Sequence, residues 1–115
     1  MATETVKVPL QDIPEGRPYR VSFSDRRAIL VCKEGDTLAV FLDRCPHQGM
    51  SMRHGTILQG KLVCPYHKYQ FALEDGSTNM RRCEPATAIP FEIQGDMLVA
   101  TVDLHEVESV FQRPL

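Results

Sequence analysis

With 115 residues, 43% of them hydrophobic and 24% charged, the chain has the length and balance of one folded domain with a modest core, which excludes a disordered or fibrous protein. A formal net charge of -2 lacks the basic excess of a nucleic-acid binder, and no apolar run is long enough to cross a bilayer. The opening Met1-Ala2-Thr3-Glu4-Thr5-Val6-Lys7 has no basic stretch leading into an apolar one, so the expected location is the cytoplasm, with neither nucleic acid nor membrane as partner.

Glycine and proline punctuate the chain into short pieces, and no linker divides it. Val6-Lys7-Val8-Pro9-Leu10 alternates as a short strand, and Pro9, which cannot donate to a ladder, points to a sheet edge. Pro14-Glu15-Gly16-Arg17-Pro18 reads as a turn. The next strand carries Tyr19, Val21 and Phe23 on one face. Ser24-Asp25-Arg26 then reverses the chain into a strand from Ala28 to Cys32. Lys33-Glu34-Gly35-Asp36 turns it again into Leu38-Ala39-Val40-Phe41-Leu42. Further on, Thr56-Ile57-Leu58 and Lys61-Leu62-Val63 flank Gln59-Gly60, a two-residue hairpin turn. Ile89–Ile93 and Met97–Val102 flank Gln94-Gly95-Asp96, a second hairpin. From Leu104 to Gln112 the spacing of Leu104, Val107, Val110 and Phe111 fits a helix, and an extended arm equally well. Many short strands between frequent turns predict an all-β fold, a small antiparallel sandwich or partly open barrel forming a single domain over 1–115.

Two matched segments carry the chemistry. Cys45-Pro46-His47 follows the strand that ends near Asp43, and Cys64-Pro65-Tyr66-His67 follows the Gln59-Gly60 hairpin. Each offers one thiolate and one imidazole. The sixteen residues between His47 and Cys64 contain the hairpin that would bring the second loop back beside the first. Two cysteines and two histidines satisfy tetrahedral zinc, although structural zinc fingers usually keep like ligands together. Here each loop mixes the two types. An iron–sulfur cluster with one bis-thiolate iron and one bis-imidazole iron needs this donor set. Of the other thiols, Cys32 ends an apolar run and reads as a small buried hydrophobe. Cys83, after Arg81-Arg82, either lines the approach to the loops or is a structural thiol. A Cys32–Cys83 disulfide is disfavoured in a chain with no export signal.

At these residues the chain resembles the Rieske-type iron–sulfur proteins, especially the small Rieske ferredoxins. The resemblance is carried by Cys45-Pro46-His47-Gln48-Gly49, Cys64-Pro65-Tyr66-His67, Phe71 and Gly76, and it runs from about Val6 to Thr101, including Asp12-Ile13-Pro14-Glu15-Gly16. It implies one [2Fe-2S] cluster in a cluster-binding region of about 43–83, formed by two loops. Cys45 and Cys64 would ligate the buried iron, and His47 and His67 the iron nearer the surface. High-potential relatives carry an extra cysteine in each loop, joined as a disulfide, and Met50 and Tyr66 hold those positions here. Their serine and tyrosine hydroxyl donors are matched by Tyr69 and Phe71. Fewer donors leave more negative charge on a cluster, so the resemblance points to the low-potential branch. The family usually has glycine after the second histidine. Lys68 stands there, so either its backbone angles suit any residue or some strain is tolerated.

The function implied is that of a soluble one-electron carrier, the ferredoxin component of a multicomponent aromatic-ring dioxygenase in aromatic hydrocarbon catabolism. It would pass electrons from a flavin-containing NAD(P)H reductase to a terminal oxygenase. No nucleophile–base set and no second carboxylate/histidine site for mononuclear iron stands out, so a carrier is expected rather than an enzyme. One alternative is the small Rieske-like subunit of an assimilatory NAD(P)H nitrite reductase; another, of a different class, is a structural zinc-binding interaction module. Between Asp43 and Cys83, Arg44, Arg53, Lys61, Lys68, Arg81 and Arg82 outnumber Asp43, Glu74 and Asp75. A basic cluster end would steer an acidic partner, with Lys68, Arg81 and Arg82 as docking candidates, against the plainer reading of solvated charge. Pro46 and Pro65 stiffen the loops, while Gly49, Gly55 and Gly76 let them turn. Met50 and Met52 either shield sulfur or pack the rim, and His54 and His105 read as surface or packing residues.

Overall fold

The computed structural model describes residues 2–47, 49–66, 68–80 and 83–113. In chain order the elements are β1 (Thr3–Pro9), a 3-10 turn (Leu10–Asp12), β2 (Tyr19–Ser24), β3 (Arg27–Glu34), β4 (Thr37–Leu42), β5 (Thr56–Leu58), β6 (Lys61–Val63), β7 (Gln70–Ala72), β8 (Phe91–Gln94), β9 (Met97–Asp103) and α1 (Leu104–Phe111). Among the described residues the strands form three antiparallel three-stranded sheets, ordered β1-β9-β8, β2-β3-β4 and β5-β6-β7. The sheets do not close on themselves, in keeping with the small all-β architecture expected from the turn spacing. Pro9 ends an edge strand, β1, where its missing N–H costs no ladder bond.

The middle sheet explains the two unbroken apolar runs. Ile29 and Val31 of β3 lie opposite Leu42 and Val40 of β4, and all four join a core shared with β1, β9 and α1. Leu30 and Cys32 lie opposite Phe41 and Ala39, and these four face a second core. That second core contains Cys45, Met52, Ile57, Leu62, Cys64, Phe71 and Leu73. A strand buried on both faces has no polar side to alternate with, so its sequence reads as continuously hydrophobic. By contrast β2 has one covered face: Tyr19, Val21 and Phe23 pack on the first core. The middle sheet is therefore the partition between scaffold and loops.

The β5–β6 hairpin turns at Gln59 (φ +52°) and Gly60 (φ +76°), the two successive left-handed residues of a type I′ connection. Its tip is held to the rest of the fold by Gly60 N–H donating to Glu34 Oε1 at 2.7 Å. Strand β7 was not anticipated: Gln70-Phe71-Ala72 is too short to show a period, and it is a strand because β6 offers its free edge. Beyond it, residues 86–89 run back along β4, with Ala88 bridging Phe41 and Ile89 N–H donating to Val40 at 2.8 Å. The tail is a helix rather than an extended arm. Asp103 caps it by accepting from the N–H groups of His105 and Glu106, and Val107 and Val110 enter the first core.

Candidate metal centre

The two Cys/His loops close in the same way. Cys45 N–H donates to the Met50 carbonyl at 2.8 Å, and Cys64 N–H donates to the Tyr69 carbonyl at 2.7 Å. Each cysteine is thus tied to the residue five places later, which closes each loop on its own cysteine. In the second loop the reversal places Lys68 at φ +59°. Of the two readings of that position, the tolerated strain is the one found: a lysine holds a conformation that glycine adopts at less cost. Gly55 sits between the loops, where a Cβ would lie 2.4 Å from the Val63 carbonyl oxygen and 3.0 Å from that of Met52. The loops approach each other only because that atom is missing.

Cys45 and Cys64 are 2% and 0% exposed and belong to the same core. Burial pushes the Cys64 thiol up to about 12; the Tyr66 backbone opposes this, and contact with the Cys45 thiol adds to it. Two adjoining thiols in apolar surroundings are not stable as thiolates without a cation between them. The donor set therefore fits a metal-bound sulfur pair. At the rim, half-buried His47 stacks on Tyr69 of the second loop, ring centroids 4.0 Å apart and planes 15° from parallel. Three of the four candidate ligands are thereby placed in the two facing loops. The fourth, His67, lies outside the described residues, as do the docking candidates Arg81 and Arg82. Among the described residues no group of three or more His, Cys, Asp or Glu side chains gathers as a metal site.

Asp43 does more than its place in a charge tally suggested. It is 8% exposed, and its carboxylate accepts from Arg20 Nε at 2.9 Å, Ser51 Oγ at 2.7 Å and Met52 N–H at 2.8 Å. These bonds join the two ends of the first loop and anchor it to β2. Charge-assisted bonds of this kind are about twice as strong as neutral ones. The neighbouring Arg44, counted in the basic excess of this region, is also 8% exposed and adds little charge to the surface. Its guanidinium is pulled down from its ordinary range by burial and by the Arg113 charge, while Cys45 opposes the shift; it stays cationic.

The remaining candidates fall into place around this centre. Met52 is fully buried while Met50 is exposed, so only the first of the pair packs in the core. Phe71 is fully buried behind Cys64 and Tyr66 is exposed. Lys68 is exposed on the second loop. All four cysteines are free; Cys32 is fully buried, and half-buried Cys83 packs at the margin of the second core. His54 is exposed and accepts from Arg53 Nε at 3.2 Å. A groove of about 410 Å³ is walled by Arg17, Arg20, Arg53 and His54 among others and includes neither Cys45 nor Cys64. No helix among the described residues is long and apolar enough to cross a membrane.

Comparison with known proteins adds to this geometry. The family profile of the Rieske [2Fe-2S] domain matches residues 4–102. Protein TIC 55 of the Arabidopsis thaliana chloroplast is 32% identical over 81 residues, or 70% of this chain, which spans only 15% of that protein's length. Among solved structures, the ferredoxin of carbazole 1,9a-dioxygenase from Nocardioides aromaticivorans IC177 superposes with a TM-score of 0.73 at 20% identity, covering 84% of this chain and 95% of its own. A Mycobacterium tuberculosis chain described as an NADH-dependent nitrite reductase small subunit gives 0.76 at 16% identity, covering 90% and 98%. At such identities the two structures speak for the fold alone.

Proposed function

Because the chain belongs to the Rieske [2Fe-2S] domain family, we propose that it is a soluble, cytoplasmic one-electron carrier, with Cys45, Cys64, His47 and His67 as the ligands of its cluster. The observation that carries this reading is the pair of adjoining buried thiols, Cys45 and Cys64, with an imidazole from the same loop at the rim. A cluster with mixed thiolate and imidazole ligands supplies reversible one-electron chemistry, and its potential follows the charge and hydrogen bonding around it. The chain's own contribution is positional. Asp43 and the two Cys N–H bonds fix the loops, Met52 and Phe71 keep water from the sulfur end, and Tyr69 holds the His47 ring at the edge a partner would meet. With Met50 and Tyr66 at the positions of the bridging cysteines, the loops have no disulfide brace, and a low potential follows from the buried phenyl of Phe71 having no hydroxyl to donate.

The partners we infer are a flavin-containing NAD(P)H reductase as donor and a terminal oxygenase as acceptor, as in aromatic-ring dioxygenase systems. The likeness in size and fold to the carbazole dioxygenase ferredoxin supports this choice. Exposed Lys68, with Arg81 and Arg82, would present positive charge to an acidic partner. A second reading, the small subunit of a nitrite reductase, is favoured by the higher coverage of the Mycobacterium tuberculosis chain. Anaerobic stopped-flow separates them. A carrier reduced by a ferredoxin reductase should hand its electron to a separate oxygenase in single turnover. Failure of that exchange, with co-purification on a large sirohaem-containing subunit, would instead establish the second reading.

A further inference from the structure

The family match ends at residue 102, and α1 begins at Leu104. The helix lies beyond the segment matched by the family and packs against the base of the first loop. Its last residue, Phe111, receives two guanidinium groups, Arg27 at 3.8 Å and Arg44 at 5.4 Å from the ring centroid. Arg27 also meets Glu108 of the helix at 3.4 Å. Arg44 Nη2 donates to the carbonyl of Arg113, just past the helix end, at 3.4 Å. Between loop and helix is a cavity of about 20 Å³, bounded by Arg44, Pro46, Glu84, Val110 and Arg113, with room for about one water.

Arg44 is thus buried directly before Cys45. Among the described residues no carboxylate lies within ion-pair distance of it: Glu84 shares its cavity without pairing, Glu108 meets Arg27, and Asp43 meets Arg20. A buried guanidinium is costly unless its charge and N–H groups are met, and here the Phe111 face and the Arg113 carbonyl meet them.

We propose that α1 is a clamp that seats the Arg44 guanidinium behind Cys45, and that this fixed positive charge raises the reduction potential of the cluster held there. The proposal rests on the cluster reading above and deepens it. Reduction adds one negative charge, so a nearby cation in low-dielectric surroundings favours the reduced form. Burial shelters the interaction from salt. The Phe111 face provides the seat, as aromatic rings do for cations, and the Arg113 carbonyl sets the direction.

Midpoint potentials of the loaded wild type and of Arg44→Gln, Arg44→Lys, Phe111→Ala and Phe111→Leu test this, with an electron paramagnetic resonance spectrum of each. Arg44→Gln should lower the reduced-to-oxidised ratio at fixed potential by roughly three- to tenfold, tenfold being about 59 mV for one electron. The shift should survive high salt, and Arg44→Lys should recover most of it. Phe111→Ala should give part of the same shift with Arg44 intact. If that variant does not fold, Phe111→Leu, which keeps bulk and removes the ring face, takes its place. An unchanged potential in Arg44→Gln, or a shift abolished by salt, overturns the role of the charge. An unchanged potential in the folded Phe111 variant overturns the clamp. A wild type without any cluster signal would defeat the cluster reading itself, a distinct outcome.

Discussion

Asp43 shows how much one side chain can organise. Its carboxylate is the common acceptor for β2, through Arg20, and for the far end of the first loop, through Ser51 and Met52. Replacing it by alanine strands a buried N–H and a guanidinium at once, and stability should fall by about 3 kcal/mol. Asp43→Asn, which still accepts from Met52, should lose less. Urea unfolding with an unchanged slope reads both; equal losses would mean that the hydrogen bond from Met52 retained in Asp43→Asn contributes nothing. Cys32 gives a second prediction at this scale. Burial pushes its thiol from 9.0 to about 12. A folded-state value above the unfolded one means stability that is full below pH 9 and lost as pH rises from 9 towards 12, by up to about 1.4 kcal/mol per pH unit. The stability curves of wild type and Cys32→Ala should therefore converge over that window. Parallel curves would contradict the burial argument.

Among the elements, the closest fit is between the loops. Gly55→Ala puts a methyl group 2.4 Å from the Val63 carbonyl oxygen, and that oxygen belongs to the strand leading into Cys64. Either the β5–β6 hairpin or the first loop must shift, at a cost of about 1–3 kcal/mol. The loaded protein should also lose its cluster faster, read as the decay of visible absorbance; a lifetime equal to wild type would show that the approach of the loops is not what holds the site. The strands around these loops were legible wherever a period or a turn pair marked them. Gln59-Gly60 announced its hairpin, and the Leu104, Val107, Val110 stripe announced its helix, although only the Asp103 cap decided helix over arm. Strand β7 was not legible, because three residues carry no period and the strand exists through its neighbour. The roles of Asp43 and Arg44 were hidden for a related reason. Adjacent charges in a sequence read as solvated surface, and only tertiary packing turns Asp43 towards a loop and Arg44 towards a helix.

Taken whole, the molecule is two cores on either side of the β2-β3-β4 sheet. One is closed by the outer sheet and α1, the other by the loops and β5-β6-β7. Cys45 and Cys64 belong to the second, so any group bound between them is backed by the middle sheet rather than suspended on a surface loop. The spacing of the Cys/His pairs left zinc and an iron–sulfur cluster both open; the family match to residues 4–102 decides for the cluster. The assignment of two thiolate and two imidazole ligands to this centre is tested by electron paramagnetic resonance of the dithionite-reduced protein with His47→Cys and His67→Cys alongside. The reduced protein should give a rhombic spectrum whose mean g lies below that of an all-cysteine cluster, altered in both variants. A spectrum of the all-cysteine type, or one that neither substitution changes, would contradict it.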